Sequence, residues 1–216
     1  VFAAVVSGKP KADVDFFPLT VEYREKHYAG GIISSSRFIK RESRPSDNEI
    51  LTARLIDRSI RPLFPKGFYD DVQVIVSPLS IDQESEPEIL SIIAASAALS
   101  FSSLPWEGPI GAVRVGMDDK GHFLINPTNT QKTNSKLDLV VSGAQGSIAM
   151  VEAGAHEVSE STVLEALDHG QKNIDLIIKA ISDLATKLGK SKLQVEPEKF
   201  DATLVKLVED KLDVNQ

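Results

Sequence analysis

Apolar and polar positions alternate along this chain in two periods, one near two and one near 3.6 residues. Val1 to Val6 (VFAAVV) reads as a strand, closed by a turn at Ser7-Gly8-Lys9-Pro10. Phe16 to Tyr23 partly alternates and predicts a second strand. Val72 to Ile81 (VQVIVSPLSI) is β-branched and predicts a buried strand. Ala112 to Met117, His122 to Ile125, Leu137 to Val141 and Ile148 to Glu152 predict four more. Asp118-Asp119-Lys120-Gly121 makes a hairpin turn between the first two of these. Ala29 to Ser36 is rich in Gly and Ser and predicts a mobile segment.

The helical period appears in four places. After Pro45, Ser46 is an N-cap and Glu49 completes a capping box, which starts a helix running to Ile60. Ile50, Leu51, Leu55 and Ile56 are its candidate core residues, and Pro62 and Pro65 stop it. Pro87 opens a second helix whose small residues, with Ile89, Ile92, Ile93 and Leu99, suit close packing on a sheet. Ser159 and Ser161 are candidate N-caps for a long helix to about Leu188, with Ile174, Ile177, Ile178, Ile181 and Leu184 on one face. Gly189-Lys190-Ser191-Lys192 breaks the pattern. From Pro197 an amphipathic helix carries Phe200, Leu204, Leu207 and Val208. Strands in runs with helices inserted between them predict an α+β fold, not a doubly wound sheet. The pattern divides the chain into residues 1–189 and a helical segment, 190–216.

Composition adds bounds. With 216 residues and 42% hydrophobic side chains, the chain can bury a core. Charged residues at 25% fit a soluble globular protein, and no apolar run approaches the ~20 residues that span a bilayer. There is no cysteine, so disulfides, thiolate nucleophiles and Cys-based zinc sites are excluded. The first residues lack the basic lead-in of a signal peptide, and both ends read as cuts within a longer polypeptide.

Charge changes the picture more. The segment Arg37 to Lys66 holds eight cations and four carboxylates, a net +4 in a chain of −7, which leaves −11 for the rest. Such segregation points to a polyanion meeting one face. Phe38 lies among Arg37, Lys40, Arg41 and Arg44, and a ring among cations suits single-stranded nucleic acid, bases stacking while phosphates pair. Arg54, Arg58 and Arg61 are spaced i, i+4, i+7 and share a helix face, a candidate anion site. Alone, such a stripe is more often simply solvated, and Asp57 can pair with Arg54 or Arg61.

Catalytic signals are sparse. His27, His122, His156 and His169 show no metal-ligand spacing and read as surface or packing residues. P-loop, Rossmann and nucleophile-elbow patterns are absent. The acidic run Asp82 to Glu88 reads as a solvated loop before a helix, where Glu86 and Glu88 suit the N-terminus.

The segment RFIKRESRPSDNEILTARLIDRSIRPLFP resembles the signature of the polynucleotide phosphorylase family, in its first ribonuclease PH-like core. The resemblance continues through DFFPLTVEYREKHYAGG, IIAASAALS, PWEGPIGAVRVG, LINPT and SKLDLVVSG, covering residues 1 to about 188. Residues from about 190 resemble the start of the helical linker between two such cores. Mitochondrial and chloroplast relatives share these motifs. The resemblance implies a ribonuclease PH-like core of mixed sheets and packed helices. It implies a phosphate-dependent 3′→5′ exoribonuclease of mRNA degradation, releasing nucleoside diphosphates reversibly. It further implies a homotrimeric ring, single-stranded RNA and inorganic phosphate as substrates, RNA-degradation complex partners and no membrane. The location implied is the bacterial cytoplasm, or an organelle in a eukaryote.

In the family an aromatic-basic loop grips RNA in the channel. Here Phe38-Ile39-Lys40-Arg41, with Arg44 after it, takes that place, and Arg37 adds a charge. Ile39 replaces a second aromatic, so stacking worth ~1–3 kcal/mol per base rests on Phe38. The family's catalytic core holds Mg2+ on two aspartates six residues apart and binds phosphate at a Ser- or Thr-rich turn. This chain has no such aspartate pair. Asn126 and a solitary Asp138 stand in that region, and Ile93-Ala94-Ala95-Ser96 replaces the turn. The resemblance therefore implies no catalytic or metal-binding residue here, with Mg2+ held in a second core. The competing reading is a purely structural RNA-binding ring subunit of exosome type. A third is a small-anion regulatory site at Arg54, Arg58 and Arg61.

Overall fold

The computed structural model describes residues 1–10, 15–33, 44–195 and 202–209. Two sheets carry the fold. The first joins β1 (Phe2–Gly8), β3 (Asp71–Ser77) and β2 (Leu19–Tyr23), with β3 central, antiparallel to β1 and parallel to β2. The parallel pair needs a crossover, which is α1 (Asp47–Ile60) followed by a 3-10 turn at Arg61–Leu63. The second sheet is antiparallel. It is ordered β5 (Phe123–Ile125), β4 (Gly111–Met117), β6 (Leu137–Ala144), β7 (Ser147–Ala155). Between the sheets in sequence runs α2 (Pro87–Phe101). A short α3 (Asn129–Thr133), the long α4 (Glu160–Leu188) and α5 (Ala202–Glu209) complete the described elements.

The larger core lies where the first sheet meets α1 and α2. Val72, Val74 and Val76 are fully buried on one face of β3, facing Ile56, Ile60, Ile92 and Leu99 from the helices. Phe17, Phe64, Phe68 and Trp106 close one end, with ring centroids 4.6–6.5 Å apart, and the Trp106 indole N–H donates to the Ile60 carbonyl at 3.0 Å. A second core lies between the second sheet and α4. Val113, Val115, Leu139 and Val141 meet Ala166, Ile174 and Ile178 there. Gly111 and Gly170 let α4 come this close, since a Cβ on Gly111 would lie 2.9 Å from the Ile174 carbonyl oxygen.

Most element boundaries follow the sequence pattern. Pro87 sits at the first helical position of α2 and Ser159 caps α4, its Oγ accepting from the Thr162 N–H. Several expectations need correction. Ile50 and Leu51 are exposed, and α1 buries Thr52, Leu55, Ile56, Ser59 and Ile60 instead. Leu184 is likewise exposed. Of the segment 29–36, Ala29 is buried in a 3-10 turn, His27–Gly30, its carbonyl accepting from the Ile81 N–H at 2.8 Å, and residues 34–36 lie outside the described residues. The strand expected from Phe16 starts at Leu19, because Pro18 lacks the N–H a ladder needs. Short α3 was not foreshadowed. Residues 196–201, which hold Pro197 and Phe200, lie outside the described residues.

Candidate nucleic-acid interface

Arg37, Phe38, Lys40 and Arg41 lie outside the described residues. The structure does describe the ground on which that segment lands. Arg44 and Pro45 lead into the capping box of α1. The Ser46 N–H donates to Glu49 at 2.6 Å, and the Glu49 N–H donates to Ser46 Oγ at 3.3 Å. The other Glu49 oxygen accepts from the Glu25 N–H at 2.8 Å, so one carboxylate ties the helix start to the chain leaving β2. Burial opposes its charge, but the backbone N–H groups of Ser46 and Glu25 prevail and hold it below the usual glutamate range. Arg44 lines a cavity of about 410 Å³ here, beside Arg24, Lys26 and His27.

Arg24 also lines an adjoining cavity of about 380 Å³ between β2 and α1, whose floor is Leu19, Val21 and Ile50. Arg54 and Arg61 reach the same space. The three helix arginines have separate duties. Arg61 donates twice to Asp57, at 2.7 and 3.0 Å, and to the Phe17 and Leu19 carbonyls at 3.2 and 3.1 Å. It is therefore a strut between α1 and β2. Arg58 turns toward β7 and pairs with Glu152 at 3.1 Å, an exposed bridge of small energetic value. Arg54 is exposed and has no hydrogen bond or ion pair among the described residues. The stripe thus offers Arg54 fully, Arg58 at little cost and Arg61 hardly at all.

The region expected to lack catalytic groups is occupied by an ion cluster. Arg114 on β4, only 9% exposed, meets Glu86 at 2.6 Å, Glu88 at 2.5 Å and Asp138 at 3.3 Å. Lys132 reaches Glu86 at 2.5 Å and Asp138 at 3.8 Å. Asp138 is therefore not solitary, and Glu86 and Glu88, at the N-terminus of α2 as the sequence suggested, are ion-paired there rather than merely solvated. Asn126 is consumed by the backbone: its Oδ1 accepts from the Arg114 N–H at 2.9 Å, and its own N–H donates to the Arg114 carbonyl at 2.7 Å. Ser96 is fully buried and accepts from the Ile110 N–H at 3.0 Å. These residues do not fit a divalent metal, because two side-chain cations already occupy the carboxylates. No group of three His, Asp or Glu able to hold a metal occurs among the described residues. Of the histidines, His122 bonds Asp118 at 3.1 Å, and His169 lies 5.7 Å from the Phe123 ring.

Arg24 and Arg114 were both missed by sequence reasoning. Arg114 had a signal: a lone cation inside the buried run GAVRVGM demands partners. Arg24 had none, since only the crossover of β2 over α1 brings it to the cavities.

Two sheets with this order, and a basic face set apart from an inert ion cluster, define a class. Residues 1–105 match the model for the 3′ exoribonuclease family, domain 1, and residues 108–173 match domain 2 of the same family. The chain belongs to the 3′ exoribonuclease family. Within it, the resemblance read from the sequence is borne out by polyribonucleotide nucleotidyltransferases. That of Sulfurihydrogenibium sp. (strain YO3AOP1) is 52% identical over 193 residues, 89% of this chain and 27% of that protein. That of Bartonella bacilliformis is 51% identical, covering 98% of this chain and 29% of the relative. That of Acidobacterium capsulatum is 48% identical, covering 97% and 26%. The chain thus spans just over a quarter of the length of these relatives. The crystal structure of rice Rrp46 shares the fold, with a TM-score of 0.62 at 15% identity, over 85% of this chain and 80% of that one.

Proposed function

We propose that this chain is the first ribonuclease PH-like core of a polyribonucleotide nucleotidyltransferase, a phosphate-dependent 3′→5′ exoribonuclease, and that it grips RNA rather than cleaving it. Identity near one half with proteins of that name carries the assignment of the family member. The Arg114 cluster supports the division of labour: where carboxylates would hold Mg2+, cations sit instead. The metal and the phosphate chemistry then belong to a second core. Homotrimer assembly and a helical linker beginning near residue 190 go with this reading, as does the bacterial cytoplasm.

The grip is assigned to Arg37, Phe38, Lys40, Arg41 and Arg44, with Arg54 and Arg58 adding charge along α1. The open guanidinium of Arg54, on the same helix that Arg44 leads into, supports a continuous basic face. Single-stranded RNA held through phosphates loses affinity with salt at a log–log slope of about −0.7 per contact. Lys40→Ala with Arg41→Ala weakens binding for all sequences and flattens that slope; an unchanged slope sinks the grip. For the chemistry, nucleoside diphosphate release from poly(A), with phosphate and Mg2+, is measured for this chain and for the complete polypeptide. Release by the complete polypeptide alone is expected. Release by this chain overturns the division of labour, and release by neither favours a purely structural ring subunit.

A further inference from the structure

Helix α2 ends without a cation of its own: no basic residue lies in its last turn, and the Ser102 N–H caps only the Ala98 and Leu99 carbonyls. The missing charge comes from ninety residues away. Lys192 Nζ donates to the Leu99 carbonyl at 2.7 Å and to the Ser102 carbonyl at 2.9 Å. The backbone on either side joins it. The Lys190 N–H donates to the Phe101 carbonyl at 3.1 Å, and the Leu193 N–H donates to the Ser103 carbonyl at 2.8 Å. Four bonds from residues 190–193 thus bind the segment that follows α4 to the end of α2. Val195 packs against the larger core, and a cavity of about 290 Å³ is left between this segment and Pro65, Pro105, Trp106 and Glu107. Burial pushes the Lys192 ammonium below the usual lysine range, a cost that the two carbonyls offset.

We propose that residues 190–195 form a latch, closed by Lys192 on the C-terminal end of α2, that sets the path by which the chain leaves this core. The latch joins the segment that follows α4 to the helix whose other end holds Glu86 and Glu88 in the ion cluster. A displacement of α2 is therefore felt where the chain departs, without passing through α4. Lysine suits the role better than arginine, because one compact ammonium must serve two carbonyls three residues apart at the helix end.

The test is amide hydrogen exchange of the full chain as wild type and as Lys192→Met. The exchange of the Lys190 and Leu193 amides is expected to become about tenfold faster in the variant, the loss of a charge-assisted bond, with α4 amides such as Ile174 and Ile178 unchanged. Unchanged protection at Lys190 and Leu193 overturns the latch. Equal acceleration throughout α4 also overturns it, because the lysine would then serve only general stability. A second measurement reads the path itself. The chain has no cysteine, so spin labels at Lys120→Cys and Gln194→Cys report a single distance. That distribution is expected to broaden in the Lys192→Met background, and an unchanged width refutes the proposal.

Discussion

Arg114 shows how one side chain can decide what a site is. Three carboxylates and one lysine surround it, so the cluster holds one negative charge in excess. Removing the arginine leaves those carboxylates facing each other. Arg114→Met is expected to cost about 3–5 kcal/mol, read as a lower urea midpoint. Glu88 is the carboxyl that gives up its charge most readily. Burial raises its carboxyl above the usual glutamate range, against the pull of Arg114. Its folded-state value lies above its unfolded one, so the native state holds the extra proton. Stability from this group is greatest at low pH and falls as pH rises from the ordinary glutamate value through the raised one. Glu88→Gln is expected to flatten that part of the pH–stability curve; an identical curve contradicts the assignment. At this scale the sequence showed types and not partners. Asp138 looked solitary because its cations, Arg114 and Lys132, arrive from another strand and a short helix.

At the scale of elements, caps and glycines carry the argument. Ser46→Ala removes the side-chain half of the α1 capping box, the Oγ that accepts from the Glu49 N–H, and is expected to cost about 1 kcal/mol, measured by chemical denaturation. Gly143 sits at the irregular pairing of β6 with β7, where a Cβ would strike the Ser147 carbonyl oxygen. Gly143→Ala is expected to destabilise by about 1–3 kcal/mol, whereas Gly154→Ala, whose nearest contact is 4.0 Å, is nearly neutral. Helix starts were legible because Ser46, Pro87 and Ser159 act on neighbouring residues. The buried face of α1 was not. Thr52, Leu55, Ile56, Ser59 and Ile60 fall at i, i+3, i+4, i+7 and i+8, so two hydroxyl residues hold stripe positions that apolarity alone assigned to Ile50 and Leu51. Ser59 can be buried because its hydroxyl donates to the Leu55 carbonyl.

In the whole molecule, two sheets with two cores act together through few polar links. Ser142 on β6 donates to Ser59 on α1 at 2.8 Å, both fully buried. Ser59→Ala strands the partner hydroxyl and is expected to cost about 1–3 kcal/mol. The double variant with Ser142→Ala should cost less than the sum of the single ones, measured as a double-mutant cycle; strict additivity refutes the link. The α+β class was legible from the order of periods, but strand neighbours were not. Pairing β2 with β3 across α1 is a long-range choice that no local pattern encodes.

Strand β7 carries a consequence for the chain in solution. Eight of its nine residues are exposed, and among the described residues only β6 pairs with it. Its free rim presents donors and acceptors to any other extended polypeptide, and Glu152 is the sole charge along SIAMVEAGA. A crowded sample is therefore prone to stick rim to rim. Light scattering is expected to climb with concentration, and Val151→Lys, a charge placed on that rim, should hold it flat.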